Sequence, residues 1–231
     1  MKYASWMGLM GCGPVEDDVR EMEERKRPMG TVLLCGLGRL GIRVFVRLLD
    51  THRGGPRTIV CYDGQRVDGN DTVHLSLGAR IGENKARFAA RLGARRTDRR
   101  VVGVPEYVGE GDAEGVVRRW RPDVVVSMIA GGRTTPVTAA LARAASRVGA
   151  VSISTGGVFG FGDEDVSVVR LEEAEGPPAE ELRRFGAPGD HLVVTTGRFI
   201  RDPEPLSPVV LERVADAITV EVLRALHLRR R

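Results

Sequence analysis

The sequence predicts a doubly wound, mostly parallel α/β sheet with a C-terminal extension and a closing helix. Three observations predict it. Short, continuous apolar runs recur along the chain, as expected of parallel strands covered on both faces. Amphipathic stretches with helical spacing alternate with those runs. The first run passes into Gly36-Leu37-Gly38-Arg39-Leu40-Gly41, a glycine loop that opens a helix.

Thr31-Val32-Leu33-Leu34-Cys35 is the first strand. The glycines after it allow a tight turn and close backbone approach to a phosphate, held by the N-terminus of the helix beginning near Leu40. Thr58-Ile59-Val60-Cys61-Tyr62 is the second strand, and Asp63 ends it, about two dozen residues beyond the glycines, where an acid takes ribose hydroxyls. Ala86 to Leu92 reads as an amphipathic helix, Val101 to Val104 as a strand, and Gly111 to Trp120 as a helix. Asp123 to Ile129 is the fourth strand. Thr134 caps and Pro136 opens a helix through Arg147. Ala150 to Ser154 is the fifth strand.

Beyond Gly162 the rhythm changes. Val166 to Leu171 reads as a strand, Ala179 to Phe185 as a short helix and His191 to Thr196 as another strand. Pro208 to Leu226 carries apolar residues at helical spacing. This divides the chain into a leader, 1–28, and one nucleotide-binding domain, 29–231, with its core at 29–160 and its extension at 161–231. Within the leader and at its edge, Met22 and Met29 are alternative start sites.

Composition narrows the functional classes. The 231 residues, 42% of them hydrophobic, suffice for one sizeable core. No apolar run reaches the length of a membrane span, so neither a membrane nor secretion is expected and the cytoplasm is the expected compartment. Cys12, Cys35 and Cys61 form no C-x-x-C pair, which indicates neither a zinc site nor a disulfide framework. The net charge of +4 is concentrated in Arg95 to Arg100 and Arg229 to Arg231. With only 5% aromatic residues and no RNA-binding motif, these clusters read as solvated faces rather than a nucleic-acid surface. The balance of arginine, glutamate and valine suits a heat-adapted source.

Glycine loop and acid alone leave NAD, FAD, S-adenosylmethionine and ATP open. The next stretch is more selective. Asp63, Val67, Asn70 or Asp71, then Ile81-Gly82-Glu83-Asn84-Lys85, resembles the ThiF/MoeB-type adenylating family, relatives of ubiquitin-activating enzymes. That family continues from its strand-end acid through a second acid and a valine to Ser-Asn-Leu-x-Arg and Ile-Gly-x-x-Lys. The resemblance covers residues 31–160 and implies a Rossmann-like core. Gln65 stands in place of the second acid, and His74 in place of the arginine unless Arg80 supplies that charge. Ala130-Gly131-Gly132-Arg133 replaces the family's Thr-Asp-Asn, so its metal-associated aspartate is missing.

The resemblance implies an adenylyltransferase that uses ATP and Mg²⁺ to activate a carboxylate. The expected nucleotide site comprises Gly36, Gly38, Gly41, Asp63, Asn70, Asp71, His74, Arg80 and Lys85, with no protein-held metal. Lys85 and Arg133 are the candidate catalytic residues, because a lysine at a helix start is disfavoured by the dipole unless it faces an anion. Solvated surface positions for Lys85 and Arg133 and a surface loop for His74 are the plain alternatives. Thr195 to Arg198 and Arg201 to Pro205 form either a second-substrate pocket or a loop with helix-capping residues. A short member lacking zinc and catalytic cysteine suits a small-molecule carboxylate, as in the ThiF-like branch of iron-guanylylpyridinol cofactor biosynthesis in methanogens. The implied partners are that acid, a second copy in a homodimer and a downstream acyl-accepting protein. The other classes to weigh are an NAD(P)-dependent oxidoreductase or S-adenosylmethionine enzyme, and a non-catalytic nucleotide-binding partner.

Overall fold

A computed structural model describes residues 19–20, 22–24, 26–131 and 134–228. The strands are β1 (Met29–Cys35), β2 (Pro56–Tyr62), β3 (Arg100–Val104), β4 (Val124–Ser127), β5 (Val151–Thr155), β6 (Ser167–Arg170) and β7 (Leu192–Thr195). They form one sheet in the order β3-β2-β1-β4-β5-β7-β6, every pair parallel except β6 with β7. The helices between and after them are α1 (Arg39–Asp50), α2 (Thr72–Ser76), α3 (Lys85–Gly93), α4 (Ala113–Trp120), α5 (Thr135–Arg147), α6 (Pro177–Arg184) and α7 (Pro208–Leu228).

Strand alternation decides which helices cover which face. Val32, Leu34, Ile59, Cys61, Val124 and Val126 point to one side and bury against α1, α3 and α7. Leu33, Val60, Tyr62 and Val125 point to the other and meet α4 and α5. A smaller cluster, including Leu171, Ala179 and Leu182, packs α6 beneath the extension. The chain winds outward from β1 through β2 and β3, then returns to β4 on the opposite side. That reversal opens a crevice at the carboxyl ends of β1 and β4.

Several expectations require correction. The fourth strand was expected over Asp123 to Ile129 but ends at Ser127, where the backbone turns toward the crevice. The helix expected from Gly111 starts as a 3-10 turn, Glu110–Asp112, before α4. Thr134 makes no side-chain cap bond; its hydroxyl donates to the carbonyl of Gly131 at 2.9 Å instead. Arg95 to Arg100 is not simply a solvated face. Arg99 is buried and donates to the carbonyls of Leu48 (2.8 Å) and Thr51 (2.7 Å), closing the end of α1. The short helix α2 has no counterpart in the sequence reading.

Arg43 and Arg47 on α1 clamp α7. Arg43 Nε lies 2.6 Å from Glu212, while Arg47 reaches Glu212 and Asp216, each at 2.5 Å. Among the described residues no helix is long and apolar enough to cross a membrane. Residues 1–18, with Cys12, and the C-terminal arginines lie outside the described residues.

Candidate active site

The glycine loop is fixed by backbone chemistry. Gly36 has φ +91°, and a Cβ there would strike the Met128 carbonyl, so β1 can turn beside β4 only with glycine. A Cβ on Gly41 would run into the Gly36 carbonyl, so this residue lets α1 pack against the turn. Gly38 differs from both, since a Cβ there meets nothing within 4 Å. It caps α1 on the wall of the crevice, with no side-chain cap and no acid in the first turn. The positive end of the α1 dipole is thus left for an anion.

Asp63 joins this loop to the end of β2. Its Oδ2 accepts from the Leu37 amide at 2.6 Å and its Oδ1 from the Gln65 amide at 2.7 Å. Asn84, just before α3, completes the joint. Its Oδ1 accepts from the Arg87 amide at 3.0 Å as an N-cap, and its Nδ2 donates to the carbonyls of Asp63 (2.9 Å) and Gln65 (3.1 Å). The β2 turn therefore cannot move independently of the start of α3.

Lys85 is the first residue of α3 and only 5% exposed. Its Nζ lies 3.1 Å from Asp71 Oδ1 and 3.1 Å from Gln65 Oε1. It is neither a solvated surface lysine nor open to the crevice; Gln65 separates the two. Asp71 also accepts from the Asp68 amide at 3.0 Å. Burial works to raise the Asp71 carboxyl, yet the Asp68 amide and the Lys85 ammonium hold it below its ordinary range.

His74, expected either to meet phosphate or to lie in a surface loop, does neither. It is fully buried on α2, and its Nε2 donates to the Leu37 carbonyl at 2.9 Å. Its Nδ1 is buried, has no hydrogen-bond partner and faces Asp71 Oδ1 at 3.8 Å. Burial lowers its pKa first, and the Lys85 charge adds to this against the pull of Asp71. Asn70 and Arg80 are exposed on the loop that carries α2, outside the crevice wall. Arg133 lies outside the described residues, as does Gly132.

The crevice encloses about 300 Å³ and is lined by Gly36, Gly38, Asp63, Gln65, Tyr107 and Met128 among others. Tyr107 was not legible as a site residue. It is 71% exposed, and its ring lies over Gly64, where any Cβ would collide with it. An aromatic one residue past a Pro-Glu pair after a strand carries no distinguishing pattern. Beyond Ile129 and Thr134 a side cavity of about 70 Å³ is lined by Ser127, Thr138 and Ser154. Thr195 to Phe199 border a separate groove of about 610 Å³ beside Glu164 and Glu173. The hydroxyls of Thr195 and Thr196 there donate to backbone carbonyls of Gly157 (2.9 Å) and Phe159 (2.7 Å), which are loop contacts.

No protein-family model matches the chain. The uncharacterized protein MJ0693 of Methanocaldococcus jannaschii is 36% identical over 209 residues, covering 90% of this chain and 82% of that protein. The structure of guanylylpyridinol (GP)- and ATP-bound HcgE from Methanothermobacter marburgensis superposes with a TM-score of 0.82 at 43% identity, covering 89% of this chain and 98% of HcgE. The ATP complex of E. coli tRNA N6-threonylcarbamoyladenosine dehydratase, TcdA, shares the fold alone: TM-score 0.71, 20% identity, 93% of this chain and 90% of that one. The fold is thus held in common with TcdA, while close identity over nearly the full length is shared with HcgE, and the chain belongs to the HcgE family.

Proposed function

We propose that this protein uses ATP to adenylate the carboxylate of a small-molecule cofactor precursor. The observation that carries the reading is the joint of glycine loop, Asp63 and α3 beside a crevice of about 300 Å³. Its weight comes from 43% identity to a protein whose structure holds both GP and ATP. A guanylylpyridinol carboxylate is therefore the first acid to try.

In this reading the crevice takes the adenosine, with the base beside Tyr107 and the ribose hydroxyls on the lone pairs that Asp63 retains. The phosphates meet Gly38 and the N-terminus of α1. A carboxylate oxygen bonds to the α-phosphorus as the bond from that phosphorus to the bridging oxygen breaks, and pyrophosphate leaves. Lys85 and Arg133 hold the charge that gathers on the leaving group, with Asn70, Asp71, His74 and Arg80 on the loop behind. No covalent residue is required. Burial pushes the Cys35 thiol up to about 12, and burial likewise pushes the Cys61 thiol up, so neither serves as a nucleophile. No group of three or more His, Cys, Asp and Glu side chains suited to a metal occurs among the described residues. Mg²⁺ is proposed to arrive on the nucleotide phosphates, completed by water.

ATP–pyrophosphate exchange over a panel of carboxylic acids tests this. Exchange dependent on one acid supports the proposal, and ATP binding with silence from the cognate acid sinks it. The latter outcome would favour a non-catalytic nucleotide-binding partner, a reading prompted by Ala130 and Gly131 where the family has its Thr-Asp-Asn. The oxidoreductase and S-adenosylmethionine readings are not favoured. A homodimer and a downstream acyl-accepting protein remain part of the proposal. Light scattering that returns only the 25.1 kDa chain mass would remove the first.

A further inference from the structure

His74, Asp71 and Lys85 form a buried trio in which the carboxylate lies beside both the ammonium and the imidazole. The Leu37 carbonyl can only accept, so His74 Nε2 carries a hydrogen whatever the charge of the ring. A neutral ring then leaves Nδ1 bare, buried and facing a carboxylate oxygen 3.8 Å away. Two acceptors in that position repel. The arrangement is tolerable because the Lys85 ammonium, 3.1 Å from the same oxygen, neutralises Asp71. The other charged group facing the imidazole is Asp63, at the end of β2. On α3 the ring otherwise meets Phe88, with centroids 6.0 Å apart, and the Arg91 guanidinium stacks on that phenyl ring. On α1, Arg43 and Arg47 are committed to Glu212 and Asp216.

Lys85 cannot serve a polyphosphate while it remains on Asp71, because Gln65 stands between it and the crevice. If the lysine moves, a buried carboxylate is left without a counter-charge, a costly state in a low-dielectric site. One group is placed to relieve it. We propose that ATP binding is coupled to uptake of one proton from solvent at His74 Nδ1, the imidazolium replacing Lys85 as the partner of Asp71. The lysine is thereby freed without stranding the carboxylate. Because Nε2 stays on the Leu37 carbonyl, the exchange is tied to the glycine loop itself. His74 is then a positioning residue for Lys85 and touches no substrate. This inference rests on the reading that ATP occupies the crevice.

Calorimetric titration of the full chain with Mg-ATP at pH 7.5, in PIPES and in Tris, tests it without relying on turnover. The observed heats should differ with buffer ionisation enthalpy by an amount corresponding to uptake of about one proton. Affinity should fall as pH rises from 6.5 to 8.5, by up to about tenfold per unit. Deprotonation of the nucleotide's own terminal phosphate acts in the opposite sense. His74→Gln keeps a donor for Leu37 and cannot titrate, so its binding should lose both dependences. Should that variant fail to fold, ¹⁵N imidazole shifts of the wild-type protein report directly. One of its four histidines should pass from the neutral Nε2–H form to imidazolium on saturation with ATP. Lys85→Met should produce the same change without ATP. Tight ATP binding with no buffer dependence and an unchanged imidazole overturns the inference and leaves the ATP reading standing. No ATP binding at all removes both.

Discussion

Both carboxylate oxygens of Asp63 already accept backbone amides, from Leu37 and Gln65, before any ligand is considered. Its substitutions should therefore separate two effects. Asp63→Ala leaves the buried Leu37 N–H unpartnered and is expected to cost about 1–3 kcal/mol of stability, together with about 2 kcal/mol of ATP affinity. Asp63→Asn keeps one acceptor and should lose affinity with a much smaller fall in melting temperature. Thermal melts and calorimetry on the same pair of variants decide this, and equal effects from both would contradict it. At Lys85 the burial matters in the same way. Lys85→Met should slow pyrophosphate exchange by roughly a hundredfold while weakening ATP binding much less, because the charge it meets grows in the transition state. Equal losses in binding and rate would make it a ground-state phosphate anchor. The acid at the strand end and the lysine at the helix start were legible because each occupies a fixed offset from a turn. His74 was misread, since a histidine amid polar loop residues gives no sign that the loop folds back under the glycine turn. Asn84 stood in the quoted motif, yet its double duty emerges only when β2 and α3 are seen together.

Among the elements, the strands and longer helices followed the apolar pattern to within a few residues. α2 escaped because five residues make fewer than two turns, too few for a period to register. β6 was read as a strand, but its direction was hidden. Sequence alternation implies parallel pairing, whereas β7 inserts between β5 and β6 and runs antiparallel to the latter. The α1–α7 pairing was similarly invisible, since Arg43 and Glu212 lie 169 positions apart. Arg43 is buried, so removing its partner strands a charge. Glu212→Ala should lower stability by about 2 kcal/mol, and Glu212→Gln by less, since Gln retains an acceptor. Denaturant titration measures both. A Glu212→Ala protein as stable as wild type would mean that solvent already shields the pair.

At the scale of the whole molecule, acid sensitivity follows from His191. It is buried between β5 and β7, with Ser152 Oγ 2.7 Å from Nδ1 and Ser154 Oγ 2.7 Å from Nε2. Burial holds its pKa down to about 4 against an ordinary 6.5, so the fold favours the neutral ring. The unfolded chain binds a proton there first as pH falls. Stability from this residue is therefore complete above about pH 6.5 and is lost progressively toward pH 4, by on the order of 3 kcal/mol. His191→Gln should flatten that part of the stability–pH curve, and an unchanged slope would place the acid lability elsewhere.

The position of α7 has a consequence for synthesis of the chain. Val210, Val214, Ile218 and Val222 complete the cluster over one face of the sheet, and every strand precedes them in the chain. While α7 is still inside the exit tunnel, every strand has already been synthesised and that face lies bare. Folding of that face therefore waits for α7 to emerge, and a nascent chain halted before Pro208 should be a client for holdase chaperones rather than a native-like domain.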